Sequence, residues 1–211
     1  MERSDLWLEE RRLWAAGYET ICGADEAGAG PLAGPVYAAA VILPRETEIT
    51  GLNDSKKLTA KRRLALFGEI VERAVAYAVV SVSAQEIDEI DILNARVKAM
   101  DAAIAALDVR PDLALIDGNR DHGSRCAITV PHELLVHGDG RSANIAAASI
   151  LAKVSRDRHM EQLAEIYPQY GFEKHCGYGT KAHYAALDRW GPCPAHRKTF
   201  LKKWEARRGE F

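Results

Sequence analysis

Between Ile21 and Leu43 the chain reads ICGADEAGAGPLAGPVYAAAVIL, two short apolar runs split by a segment of glycine and proline. Runs of this length, interrupted by turn-forming residues, predict paired strands over Thr20–Asp25 and Val36–Leu43, joined by the Gly-Pro turn. The first run ends on adjacent carboxylates, Asp25 and Glu26. Like charges side by side in a buried setting are unfavourable unless a cation neutralises them or one carboxyl keeps its proton. A divalent metal is the simplest resolution, and a plain polar loop between two strands is the alternative. Strand geometry adds a condition. Successive side chains point to opposite faces, so both acids reach one site only if the backbone twists or the strand has ended. Gly28 and Gly30 permit that.

Apolar periodicity extends the pattern. Ala74–Val82 reads as a third strand, Leu113–Ile116 as a buried strand ending at Asp117-Gly118-Asn119, and Leu134–Val136 as another ending near Asp139-Gly140. A helix is expected over Thr59–Arg73, with Leu64, Phe67, Ile70 and Val71 forming its stripe. Ser83 and Glu86 have the spacing of a capping box, opening a helical region whose seam runs Ile87, Ile90, Leu93, Val97, Met100, Ile104 and Leu107. SANIAAASILAKVSRDRHMEQLAEIY is small and apolar enough to lie closely on a sheet as one long helix, stopped by Pro168. Strands with helices interspersed indicate a mixed sheet flanked by helices.

With 211 residues and 47% hydrophobic content, the chain has the material for one large domain, or a domain with a small appendage. The formal net charge of −2 gives no global attraction to a polyanion. The charge is unevenly spread: Tyr170–Phe211 carries net +5 and the remainder −7, as an acidic centre facing a basic arm would, or a solvated helical surface. The N-terminal MERSDLWLEERRLWAAG lacks the apolar core of a secretion signal, and no run of roughly 20 apolar residues follows. A soluble, cytoplasmic protein with no membrane contact is expected. Cys22, Cys126, Cys176 and Cys193 show no CxxC spacing and read as free thiols.

Asp25, Glu26, Asp117 and Asp139 each fall at or just past a predicted strand end beside glycine. If those strands are neighbours, the acids meet at one sheet edge and suit one or two hard cations such as Mg²⁺ or Mn²⁺. Phosphate-ester hydrolysis uses such an arrangement. No nucleophilic Ser or Cys pair competes with metal-activated water. His175, Cys176, His183, Cys193 and His196 match no standard zinc spacing, and GAGPLAG lacks the Gly-Lys-Ser/Thr ending of a phosphate-binding loop.

These segments resemble the type 2 ribonuclease H family, bacterial ribonuclease HII, over nearly the whole chain from about Thr20. DEAGxGPLAGPV (Asp25–Val36), LNDSKKL (Leu52–Leu58), LIDGN (Leu115–Asn119), the Gly138-Asp139 pair, AASILAKVxRD (Ala147–Asp157) and YPQYGFxxHxGYGT (Tyr167–Thr180) occur in the family's order. The resemblance implies a ribonuclease H-like α/β fold, a mixed five-stranded sheet flanked by helices. Its parts would be an N-terminal helical segment (1–18), the catalytic domain (19–180) and a short C-terminal helical extension (181–211) packed on it. It implies an endonuclease that hydrolyses the RNA strand of RNA–DNA hybrids by two-metal-ion catalysis. It would also cut 5′ of ribonucleotides embedded in duplex DNA, leaving 3′-hydroxyl and 5′-phosphate ends.

Asp25, Glu26 and Asp117 would be catalytic metal ligands, with Asp139 the fourth carboxylate. Substrate would meet Gly28, Ala29 and Gly30, with Tyr178 stacking on the sugar at the junction. Ser55, Lys56, Lys57, Lys153, Thr180 and Arg197 would contact phosphates. The chain departs from the family's Gly-Arg-Gly at Ala29, losing a guanidinium, so weaker substrate binding or junction preference is expected. A monomer is expected, with replication-associated proteins as further partners. Two rivals stay open: a nucleic-acid-binding protein with little turnover, and a related sheet nuclease or resolvase with another substrate.

Overall fold

The computed structural model describes residues 5–53, 55 and 58–208. Lys56 and Lys57, two expected phosphate contacts, lie outside them. The sheet has the order β3-β2-β1-β4-β5. β1 (Ile21–Ala27) is its centre, antiparallel to β2 (Val36–Ile42) and parallel to β4 (Leu113–Asp117). β3 (Ala76–Val82) closes one side and β5 (His132–Leu135) the other. The mixed sheet with flanking helices is the expected fold class.

Alternation along β1 sorts its side chains between two layers. Cys22 and Ala24 join Ala38, Ala40, Ala114 and Ile116 under α4 (Ile92–Ala105), in a core with Val97, Met100 and Ile104. Ala39 and Val41 face α5 (Ala143–Ile166) and α2 (Ala60–Arg73) on the other side. The small residues Ala143, Ala146, Ala147 and Ala148 let α5 lie close on the sheet. Gly23 marks the closest approach: a Cβ there would overlap the backbone at Asn144 and Ile145 and stand 2.7 Å from the Asn144 Cβ.

The expected single helical region after Ser83 is two helices, α3 (Ala84–Ile90) and α4. Asp91, at φ 68°, breaks them, and its carboxylate accepts from the Asn94 amide to cap α4. Ser83 does accept from the Glu86 amide, but the Glu86 carboxylate pairs with Lys98 rather than closing a capping box. β1 also runs two residues past its expected end and carries both acids within it.

α1 (Leu8–Ala15) ties down the start of α5. Its buried Glu10 accepts from the Ser142 hydroxyl at 2.6 Å and from the Asn144 amide at 3.2 Å, and burial raises its pKa. Glu9 pairs with Arg141, and Arg12 with Glu133 of β5. After α5 come the short α6 (Phe172–His175), α7 (Lys181–Trp190) and α8 (Lys198–Arg208). They share a core of Met160, Tyr170, Phe172, Leu187, Leu201 and Trp204. Among the described residues no helix is long and apolar enough to cross a membrane.

Candidate active site

Parallel pairing of β1 with β4 brings the first two acids together. The register pairs Ala24 with Ile116, so Asp25 and Asp117 follow side by side on adjacent strands. The period of two puts them on the same face as Gly23 and Leu115, toward α5. Neighbouring strands stand about 4.8 Å apart, so these carboxyl groups feel one another directly. Asp25 is buried and accepts from the Ser149 hydroxyl of α5 and, at 2.7 Å, from the Glu26 amide. Burial first, then the charges of Glu26 and Asp117, pushes its carboxyl well above the usual carboxylate range.

Glu26, the next residue on a continuing strand, turns to the opposite face. Its Oε1 accepts from Arg96 Nη2 of α4 at 2.6 Å. The strand thus continues through the acid pair instead of ending at it, and the Glu26 carboxylate, although held by Arg96, stays near enough to Asp25 for its charge to act on that carboxyl. Asp117 Oδ1 accepts from the Gly138 amide at 2.7 Å, which brings the turn carrying buried Asp139 to the end of β4.

Among the described residues no three His, Cys, Asp or Glu side chains are gathered closely enough to hold a metal ion. Asp117 is engaged by a backbone donor and Glu26 by a guanidinium. The donor set nevertheless fits a hard divalent cation: all are carboxylates, and a buried Asp25 between like charges is relieved by positive charge. Asp25, Glu26, Asp117 and Asp139 are the residues that would hold it.

The Gly-Pro segment crosses the edge of this cluster and is held from beneath by two buried arginines. Arg197 donates through Nε to Gly34 O (2.9 Å), through Nη1 to Ala29 O (3.0 Å) and through Nη2 to Gly28 O (2.7 Å). Arg156 donates to the carbonyls of Ala33, Pro35 and Cys176. Burial, then neighbouring Arg156, pulls Arg197 down to about 9, so it stays cationic at neutral pH. Arg197, expected at a phosphate, is fully buried and positions the loop instead. Gly28, at φ +95°, has no room for a side chain, since a Cβ would lie 2.9 Å from the Arg156 Cζ.

Ser55 also departs from expectation. It is buried, and its hydroxyl meets the Ser149 hydroxyl at 2.8 Å, one hydrogen bond removed from Asp25. It therefore supports the acid cluster rather than reaching for a phosphate. Lys153 pairs with Asp157 at 2.6 Å, and Thr180 caps α7 by accepting from the His183 amide while remaining exposed. Tyr178 is about half exposed (47%) and stands over Gly30, whose Cβ position would be 3.7 Å from the Tyr178 ring.

Two buried histidines fix the Tyr178 loop. His183 Nδ1 meets Tyr178 O at 2.9 Å, a contact that needs the nitrogen's proton; its Nε2 meets His196 Nε2 at 3.0 Å. One consistent assignment makes both rings neutral, His196 donating and His183 accepting, with His196 Nδ1 accepting from the Cys193 amide. A second proton would set N–H against N–H. Burial, then His183, lowers His196 to about 4; burial also lowers His183. Folded values below the unfolded 6.5 mean that this stability is fully present above pH 6.5 and is lost as pH falls toward 4. Thermal melts across that window are expected to show a steep loss in the wild type and a shallower one in His196→Gln. Parallel slopes would contradict the neutral pair.

Sequence reasoning missed Arg96, Ser149 and the role of Arg156. Arg156 did leave a signal, since it falls in step with buried Ala152 and Met160 at four-residue spacing. Arg96 left none, its partner being 70 residues away.

A five-stranded mixed sheet with acids at the ends of its parallel strands is the ribonuclease H-like arrangement of a nuclease. A family profile described as Ribonuclease HII matches residues 22–205. A ribonuclease HII of Caldicellulosiruptor saccharolyticus is 53% identical over 193 residues, 92% of each chain. The crystal structure of ribonuclease H2 from Pyrococcus horikoshii superposes with a TM-score of 0.76 at 25% identity, covering 92% of this chain and 100% of that one. Ribonuclease HII of Archaeoglobus fulgidus, described in a complex with PCNA, gives 0.72 at 27% identity, covering 85% and 94%. The chain belongs to the ribonuclease HII family. It is an endoribonuclease H acting on the RNA strand of RNA–DNA hybrids, in a class of enzymes that depends on divalent metal.

Proposed function

We propose that this enzyme also cuts duplex DNA 5′ of a single embedded ribonucleotide, leaving a 3′-hydroxyl and a 5′-phosphate. The observation that carries the reading is the grip of Arg197 on the Gly28 and Ala29 carbonyls. In a trans peptide the N–H points opposite to its C=O. With those two oxygens turned inward, the amides of Ala29 and Gly30 face away from Arg197, at the edge where Tyr178 stands. Donors there suit the 2′-hydroxyl, the one group that distinguishes RNA from DNA at a given sugar, and Tyr178 suits the sugar face.

Asp25, Glu26, Asp117 and Asp139 would hold Mg²⁺ or Mn²⁺, which when bound supplies an activated water and neutralises the leaving oxygen. The protein's own part is positional. Ser149 and Ser55 steady Asp25, the Gly138 amide steadies Asp117, and the two arginines set the height of the loop. Lys153, Thr180, Lys56 and Lys57 contact phosphates, which positions a backbone without reading sequence. The enzyme acts as a cytoplasmic monomer. Replication-associated proteins are its further partners, a reading supported by the Archaeoglobus relative, which is described in a complex with PCNA.

The test is a panel of labelled duplexes incubated with Mg²⁺ or Mn²⁺: one ribonucleotide in DNA, all DNA, and a continuous hybrid. Cutting 5′ of the ribose in the first, none in the second, supports the proposal; cutting of the continuous hybrid alone overturns it.

Ala29 gives a further expectation. It is only partly buried, and its carbonyl, not its side chain, is committed to Arg197. Ala29→Arg is therefore expected to add a charge-assisted contact and lower KM on the single-ribonucleotide duplex about tenfold. An unchanged KM and selectivity would show that the missing guanidinium costs nothing.

A further inference from the structure

Arg96 stands one turn into α4 and reaches β1, where Nη2 donates to Glu26. Two features separate it from an ordinary ion pair. A third of its side chain is exposed, so the guanidinium is open to solvent on one side while it holds Glu26 on the other. Its Nε, by contrast, is buried and has no hydrogen-bond partner among the described residues. Buried donors are nearly always satisfied, and an unsatisfied one points to an acceptor that the protein does not supply. The planar fork of arginine matches the paired oxygens of a phosphate. Arg96 brings such a fork from α4 to Glu26, next to the buried Asp25.

We propose that Arg96 is a substrate-binding residue of this site. It holds Glu26; with Glu26 given over to a divalent cation, the guanidinium would turn to a non-bridging oxygen of the nucleic-acid backbone. This rests on the reading of Glu26 as a metal ligand. It makes two effects run in opposite directions. Removing Arg96 takes away both a competitor for Glu26 and a positive charge beside the cations, so metal should bind more tightly. It also takes away a phosphate contact, so substrate should bind less well. A purely structural ion pair would not couple the two in this way.

The experiment uses the full chain as wild type, Arg96→Met and Arg96→Lys. Mn²⁺ is titrated calorimetrically into each without nucleic acid, and KM and kcat are measured on the single-ribonucleotide duplex at saturating Mn²⁺. In Arg96→Met, Mn²⁺ affinity is expected to rise several-fold while KM rises about tenfold, and Arg96→Lys should recover most of the KM. Unchanged or weaker Mn²⁺ binding, or an unchanged KM, overturns the proposal. Should Arg96→Met fail to melt cooperatively, Arg96→Gln takes its place with the same expectations. A wild type that cuts beside unaltered variants defeats the role of Arg96 alone. A wild type that neither binds Mn²⁺ nor cuts defeats the site assignment and this inference together.

Discussion

Asp117→Asn is expected to lower kcat by roughly a thousandfold or more while leaving the protein folded. Asp117 is the only one of the four acids that lies beside Asp25 on a parallel neighbour and also holds the turn bearing Asp139. Asparagine keeps the Oδ1 that accepts from the Gly138 amide, so the turn should stay in place. What is lost is one negative charge next to a buried carboxyl whose ionisation Asp117 already opposes. In the absence of metal, that loss removes a repulsion. The variant should therefore melt at the same temperature as the wild type or above it, while its activity collapses. Loss of both together would mean that Asp117 serves the fold, and retained activity would remove it from the catalytic set.

The second large effect is on stability. Gly23→Ala should destabilise the protein by about 3 kcal/mol or more, seen as a lower urea midpoint. A methyl at this position meets backbone atoms of Asn144 and Ile145, which cannot swing aside as a side-chain tip can. Relief requires the first turn of α5 to lift from β1. That turn follows Asp139, is capped by Ser142 and is gripped by Glu10, and the same helix carries Ser149 to Asp25. Activity should fall with stability. An unchanged midpoint would contradict the close approach of α5 to β1 at Gly23.

Much of this architecture was legible because it depends on local pattern. The apolar runs around the Gly-Pro turn, the stripe of α2 and the alanine-rich α5 each declare themselves within a few residues. The misreadings arise where a distant partner decides. The seam from Ile87 to Leu107 keeps a helical period straight through Asp91, and only the capping of Asn94 and the positive φ separate two helices. β1 does not stop at Asp25 because β2 goes on pairing through Ala27, opposite Tyr37. That continuation sends Glu26 to the α4 face and into the reach of Arg96. Arg197 reads in sequence as a phosphate contact, and nothing nearby discloses that three loop carbonyls claim it. Ser55 lies in a polar segment beside two lysines, yet its partner is a hydroxyl 94 residues on.

The claim beneath all of this is that the carboxylates around Asp25 bind divalent cations that the chemistry needs. Calorimetric titration of Mn²⁺ into the wild type and into Asp25→Asn tests it most directly, with cleavage of the ribonucleotide duplex followed on the same samples. Saturable binding and cutting in the wild type, with both lost in Asp25→Asn, is the expected result. An Asp25→Asn protein that binds Mn²⁺ and cuts as the wild type does would contradict the account.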